Sequence, residues 1–110
     1  MDINKIVKLV ACVCAQDGII SKTELETAFK LINKQIGNLN QKLFDSLIVE
    51  FFEEDSTLED YLLSISDEIN QEVILEICSQ SAKSDGLDIK ENIAFNKACA
   101  FWQKEISSFI

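Results

Sequence analysis

The sequence contains no histidine, no arginine and no proline, and its only glycines are Gly18, Gly37 and Gly86. Each absence excludes something. Without histidine there is no Ser-His or Cys-His nucleophile pair, and the commonest acid-base group and metal ligand near neutral pH is missing. All ten basic residues are lysine, so the bidentate guanidinium fork that suits phosphates and guanine edges is missing too. Few glycines and no proline suit helices joined by short connections, not a sheet with many turns. The apolar fraction of 47% over 110 residues is enough for one core and one domain, residues 1–110.

The charge is −9 and uneven. Residues 1–55 hold nine acids and six lysines (−3), and residues 56–110 hold ten acids and four lysines (−6). A basic groove for a nucleic-acid backbone is therefore not expected. Expected partners are cations or another protein with a basic or apolar surface. The opening stretch MDINKIVKLVACVCAQDG has a short apolar run broken by Lys5 and Lys8. It is a poor signal peptide and too short for a transmembrane segment, so a cytoplasmic protein with reduced thiols is expected. Cys12 and Cys14 would point about 200° apart on a helix, while Cys78 and Cys99 sit in apolar helical patterns, so all four read as small core residues rather than zinc ligands.

Helical spacing runs through the chain. Residues 3–16 place Ile3, Ile6, Val7, Val10, Val13 and Cys14 on one face, and Leu9, Ala11 and Cys12 add apolar surface elsewhere, which predicts a central helix buried on most sides. Asp17-Gly18 ends it. Ser21 and Glu24 form a capping box for a helix with the stripe Leu25, Ala28, Phe29, Ile32 and Ile36, stopped by Gly37. A third helix is predicted over residues 40–54, with Leu43, Phe44, Leu47, Ile48 and one of Phe51 and Phe52 inward. Ser56 and Glu59 suggest a second capping box, opening a short helix through Tyr61, Leu62 and Ile65. Ser66 or Asp67 should cap the next, with Ile69, Val73, Ile74, Ile77 and Cys78 inward. Asp88 and Glu91 open a last helix with Ile89, Ile93, Phe95, Ala98, Phe101 or Trp102, Ile106 and Phe109, its continuity near Lys104 left open.

Two segments repeat. ACVCAQDGIISKTELETAFKLI and CSQSAKSDGLDIKENIAFNKACAF each read as helix, Asp-Gly, cap and helix. Asp17-Gly18 corresponds to Asp85-Gly86, 68 residues on, and Ser21 and Glu24 correspond to Asp88 and Glu91, with the second connection one residue shorter. A helix ending in this way, followed by a second Asp-Gly hairpin toward the C-terminus, resembles the TerB-like domain of tellurite-resistance proteins. Related domains occur in membrane-anchored DnaJ-type co-chaperones and in bacterial stress and phage-defence operons. The resemblance spans residues 3–105 and implies an all-α compact bundle of about six or seven helices with two pseudo-repeated Asp-Gly hairpins. It also implies a module that binds other proteins and is not an enzyme, with an acidic surface at the corners able to hold a divalent cation such as Ca, Mg or Mn. Carried over, the ligands would be Asp17, Glu24, Asp85 and Glu91, with Asp88 joining them from this chain's own sequence.

The residues themselves allow a plainer reading, in which these acids end and cap helices. An independent EF-hand is disfavoured, because its first and third ligand places fall on Val13 and Ala15. If the corners converge, four carboxylates would repel and need a cation. A second candidate is EFFEEDSTLED, residues 50–60, with six acids around adjacent phenylalanines. Neighbours on a helix point about 100° apart, so one ring should stay outside. Phe51, Phe52, Glu53 and Glu54 then form a candidate partner-binding patch, an aromatic anchor with an acidic rim. The Asp-Ser-Leu at residues 45–47 echoes acyl carrier proteins, but Ser46 falls mid-helix and not after a loop. The function expected is a non-enzymatic interaction module of a stress-response or defence system. The alternatives are a metal-ion binder or sensor, and an acidic immunity-type inhibitor of a basic partner.

Overall fold

The computed structural model describes residues 2–16, 18–84 and 89–104, without the side chains of residues 68, 69 and 89–91. Among these it is all-helical, with α1 (Ile3–Cys14), α2 (Lys22–Gln35), α3 (Gln41–Glu53), α4 (Leu58–Leu63), α5 (Glu68–Lys83) and α6 (Ile89–Phe101). The first helix is the hub. Ile6, Val7 and every residue from Leu9 to Cys14 are buried, and α2 to α6 all pack against it. An all-round apolar helix has no face to give to water, so its neighbours must surround it. Each fully buried Ile, Leu or Val contributes about 1.5–3 kcal/mol relative to exposure, which makes this helix the largest local contributor to the core.

Local chemistry sets most boundaries. The side chains of Asp2, Asn40 and Asp67 accept backbone N–H bonds at the starts of α1, α3 and α5, and Ser21 and Glu24 make the reciprocal capping box of α2. Gly18 adopts φ +88° where α1 ends, as the Asp-Gly reading required. At the end of α2, Gly37 and Asn38 are both left-handed. The Gly37 N–H reaches Ile32 O at 3.1 Å and the Leu39 N–H reaches Asn33 Oδ1 at 3.2 Å, turning Leu39 into the core.

Three expectations are corrected. The box at the start of α4 is Thr57 with Asp60, not Ser56 with Glu59: the Asp60 N–H donates to Thr57 Oγ1 at 3.2 Å and the Thr57 N–H to Asp60 Oδ2 at 2.9 Å. This register buries Leu58, Tyr61 and Leu62 and leaves Glu59 to pair with Lys97 on α6. Ile93 faces outward and is 59% exposed. The buried face of α6 is Ala94, Phe95, Ala98 and Cys99, continued by Trp102. At about 100° per residue Ile93 lies opposite the centre of that stripe. Ile65, expected within the short helix, lies beyond its end. The last helix stops before Lys104. Gln103 is left-handed (φ 56°), its N–H bonds to Ala100 O, and the Lys104 N–H bonds back to Cys99 O at 2.8 Å. These two bonds satisfy the terminal carbonyls of α6 in a Schellman arrangement. Trp102 packs in the core and donates its indole N–H to Leu62 O at 3.1 Å, tying the ends of α6 and α4.

Candidate functional site

The first candidate region is the corner between α1 and α2. Ser21 starts α2 because its hydroxyl accepts the Glu24 N–H at 3.0 Å, and Glu24 Oε1 accepts the Ser21 N–H at 3.0 Å. Glu24 is only 3% exposed, and its second oxygen, Oε2, is buried with no partner among the described residues. A buried carboxylate oxygen without a partner is unusual and costly. Glu24 also borders a small internal space between α1, α2 and α3, otherwise lined by apolar side chains such as Val10, Cys14 and Phe44. The capping role is thus in place, and one oxygen remains for a further ligand. Asp17, Asp85 and Asp88, and the side chain of Glu91, lie outside the described residues. Among the described residues no group of three or more acids or thiols is arranged to hold a metal ion.

The second region is the end of α3. The structure decides which phenylalanine stays out: Phe51 is half-buried and contacts Tyr61 with ring centroids 5.9 Å apart, while Phe52 is 49% exposed and stands edge-on to Phe51 at 5.1 Å. Glu53 is exposed beside it. Glu54 is part of a clasp instead. It pairs with Lys8 on α1 and accepts the Tyr61 hydroxyl at 2.7 Å, and Glu50 lies 3.5 Å from the same lysine. Hydrogen bonds from Lys8 and Tyr61 hold the Glu54 carboxyl below its usual range, and the Glu54 bond raises Lys8 above its own. Burial, with the Glu54 bond, pushes the Tyr61 hydroxyl up. Glu54 therefore ties α3 to α1 and α4 although it stays exposed, and the part of the patch with no such tie reduces to Phe52 and Glu53.

A third feature was not anticipated. Between α2 and α3 runs an open groove of about 510 Å³. Leu25, Phe29, Phe44 and Ile48 line its apolar floor, Val49 stands on its lip, and Lys22, Glu26, Gln41 and Asp45 complete the rim. Phe29 and Phe44 bridge the two helices edge to face, with centroids 5.3 Å apart. A sequence signal for it existed. Leu43, Phe44, Leu47, Ile48, Val49, Phe51 and Phe52 are more apolar residues than one helix face can bury, and Val49 stays 55% exposed.

The four cysteines are buried and form no disulfide. Burial pushes the Cys12 thiol up to about 11 and raises Cys78 and Cys99 as well, so these thiols are not nucleophiles near neutral pH. No helix among the described residues is long and apolar enough to cross a membrane. No family model, curated protein or solved structure matches the chain.

Proposed function

We propose that this chain is a non-enzymatic protein-interaction module with a TerB-like architecture, acting in the cytoplasm within a bacterial stress-response or defence system. The observation that carries the reading is Phe52, a large aromatic ring left half in water on an acidic helix end while Phe51 beside it anchors that end in the fold. Aromatic side chains at such positions are the usual anchors of protein interfaces. Support also comes from the chain's lack of histidine and from thiols held in their unreactive form. The test is capture of a binding protein from the native host with the wild-type chain and with Phe52→Arg, which should fold normally. A protein retained by the first and lost by the second supports the patch. Equal retention removes Phe52 from the interface.

A divalent-cation site at the Asp-Gly corners is the second reading, favoured by the orphaned Oε2 of Glu24. In that role Glu24 would supply one oxygen, with Asp17, Asp85, Asp88 and Glu91 as its proposed companions, and the ion would fix the two corners together. Titration of isotope-labelled protein with calcium, magnesium, manganese and zinc tests it. Shifts at the Gly18 and Glu24 amides support a site, and unchanged spectra at millimolar ion remove it.

A further inference from the structure

We infer that the outward face of α4 and α6 is a docking surface for a second copy of this chain, the two copies being related by a twofold axis. This goes beyond the Phe52 reading and uses other residues. The composition of α6 is the first reason. From Ile93 to Phe101 every residue except Asn96 and Lys97 is apolar, so apolar side chains run all round the helix. A helix of that pattern is suited to being enclosed. α1 has the same pattern and is surrounded by the other five helices, whereas α6 packs on α1, α4 and α5 and leaves Ile93, Ala100 and Phe101 exposed. α4 adds to this face. Glu59 pairs with Lys97, and Leu62 O accepts the Trp102 indole N–H at 3.1 Å. Residue numbers rise together across these two contacts, so α4 and α6 run side by side in the same direction. Leu63, next to Leu62, and Phe101, next to Trp102, therefore share one end of the face, where they are 70% and 40% exposed. Ile93 lies one turn before Lys97, toward the other end.

Charge selects the occupant. Residues 92–104 contain no acid in a chain of −9. Their two lysines are already met, Lys97 by Glu59 and Lys104 by Glu72 at 3.4 Å. A basic partner finds no unmatched acid on this stretch and is drawn to the acids elsewhere, while nucleic acid and anionic lipid are repelled by the chain as a whole. The charge pattern that remains is one pair, with its acid on α4 and its cation on α6. A surface that answers it carries the same pair in the opposite order. A second copy presents that order when it is turned about an axis running between α4 and α6 and parallel to them. Its α4 then lies on α6 and its α6 on α4. Lys97 meets Glu59 of the second copy, Glu59 meets its Lys97, and Phe101 meets its Leu63. Every contact is made twice, as in any isologous dimer. The face is small and two −9 chains repel, so the dimer is weak, with a Kd on the order of 100 µM.

The experiment is sedimentation equilibrium of the full chain from about 10 µM to about 1 mM, a range that brackets such a Kd. The expected result is a monomer–dimer equilibrium. Leu63→Glu, at an exposed position, should weaken it at least about tenfold, because the change enters the contact twice. Phe52→Arg should change it less than about threefold. A charge exchange tests the orientation without touching the apolar residues. Lys97→Glu alone sets acid against acid across the axis, and Glu59→Lys alone sets lysine against lysine, so each variant should remain monomeric. Mixed together they should form a heterodimer, because every facing pair is then matched, even though the pair within each chain stays broken. Recovery on mixing also shows that both variants are folded. A wild-type chain that is monomeric at about 1 mM, a mixture that fails to associate, or a dimer that survives Leu63→Glu and is lost in Phe52→Arg would each overturn the inference. Capture of a host protein through Phe52 bears on the module reading alone, so the two can fail separately.

Discussion

Replacing Glu24 separates a helix cap from a charge held by something else. Its Oε1 accepts the Ser21 N–H at 3.0 Å while Oε2 is buried and unpaired. Glu24→Gln keeps an acceptor in the same place, and Gln serves at this position of a capping box. Removing the charge forfeits about 0.3–1 kcal/mol of interaction with the N-terminus of α2. It also relieves a buried orphan oxygen, a penalty of about 1–3 kcal/mol, although the amide group placed there is itself unpaired. These effects oppose, so the net change should stay within about 1 kcal/mol. Glu24→Ala deletes the acceptor, loses about 0.5–2 kcal/mol of capping, and opens a small void in a site only 3% exposed. Its total should reach about 1.5–3 kcal/mol. At roughly 4 °C per kcal/mol for a domain of this size, Tm should fall by about 6–12 °C for Ala and under about 4 °C for Gln.

The assay is urea and thermal unfolding followed by far-ultraviolet circular dichroism, in EDTA and again with added calcium, magnesium or manganese. If Gln in EDTA is as damaging as Ala, the negative charge is itself held by a counter-charge and the capping argument is wrong. A cation that stabilises the wild type at a hundredfold excess over its Kd adds about 2.7 kcal/mol. Loss of that increment in the Gln variant alone would assign the second oxygen to the ion.

The clasp predicts pH dependence at both ends of the scale. Glu54 is depressed by Lys8 and Tyr61, so its contribution is present above the ordinary carboxylate range near pH 4.3 and is lost as pH falls through the lower folded value. Lys8 and Tyr61 are raised, so theirs is present below about pH 10 and is lost as pH rises. In Lys8→Met, stability from urea titrations should fall less steeply than in the wild type between about pH 5 and pH 3; an unchanged slope would mean that the ion pair is not formed in solution. The four cysteines give a separate check. Cys12, Cys14, Cys78 and Cys99 are buried, so an aromatic disulfide reagent at pH 8 should label them only at the rate of unfolding, and all four at once in urea; fast labelling of native protein would show that the core opens locally.

The elements that local chemistry decides were legible in the sequence. The box of Ser21 and Glu24, the left-handed Gly18 and the all-round apolar α1 each follow from a few neighbouring residues, and each is present. The α4 start was ambiguous, because Ser56 with Glu59 and Thr57 with Asp60 satisfy the same rule one residue apart. Distant contacts broke the tie: burial of Leu58, Tyr61 and Leu62, and the Glu59–Lys97 pair with α6. Ile93 failed for a related reason. An apolar residue can be assigned to either side of a helix with apolar residues all round, and only the packing of α6 on α4 and α5 selects Ala94, Phe95, Ala98 and Cys99. The groove needed α2, packed chiefly on α5, and α3, packed on α1, to be brought side by side, a fact of tertiary geometry that no window of one helix contains.

The same geometry changes the meaning of the acidic run at residues 50–60. As a string it presents six carboxylates around two rings. In the fold Glu50 and Glu54 share Lys8, Glu59 pairs with Lys97, and Asp60 caps α4 through Thr57. Four of the six are therefore engaged within the chain: Glu50 and Glu54 join α3 to α1, Glu59 joins α4 to α6, and Asp60 closes the start of its own helix. Glu53 and Asp55 are the exposed acids left flanking Phe52. Two carboxylates near one ring are a small electrostatic feature, and exposed charges of this kind act mostly on encounter rate and salt dependence. At the proposed patch, discrimination must therefore come from Phe52 itself. Interface energy concentrates in desolvated apolar anchors. Salt should thus slow association at the proposed patch, while a change at Phe52 should act through the rate of dissociation.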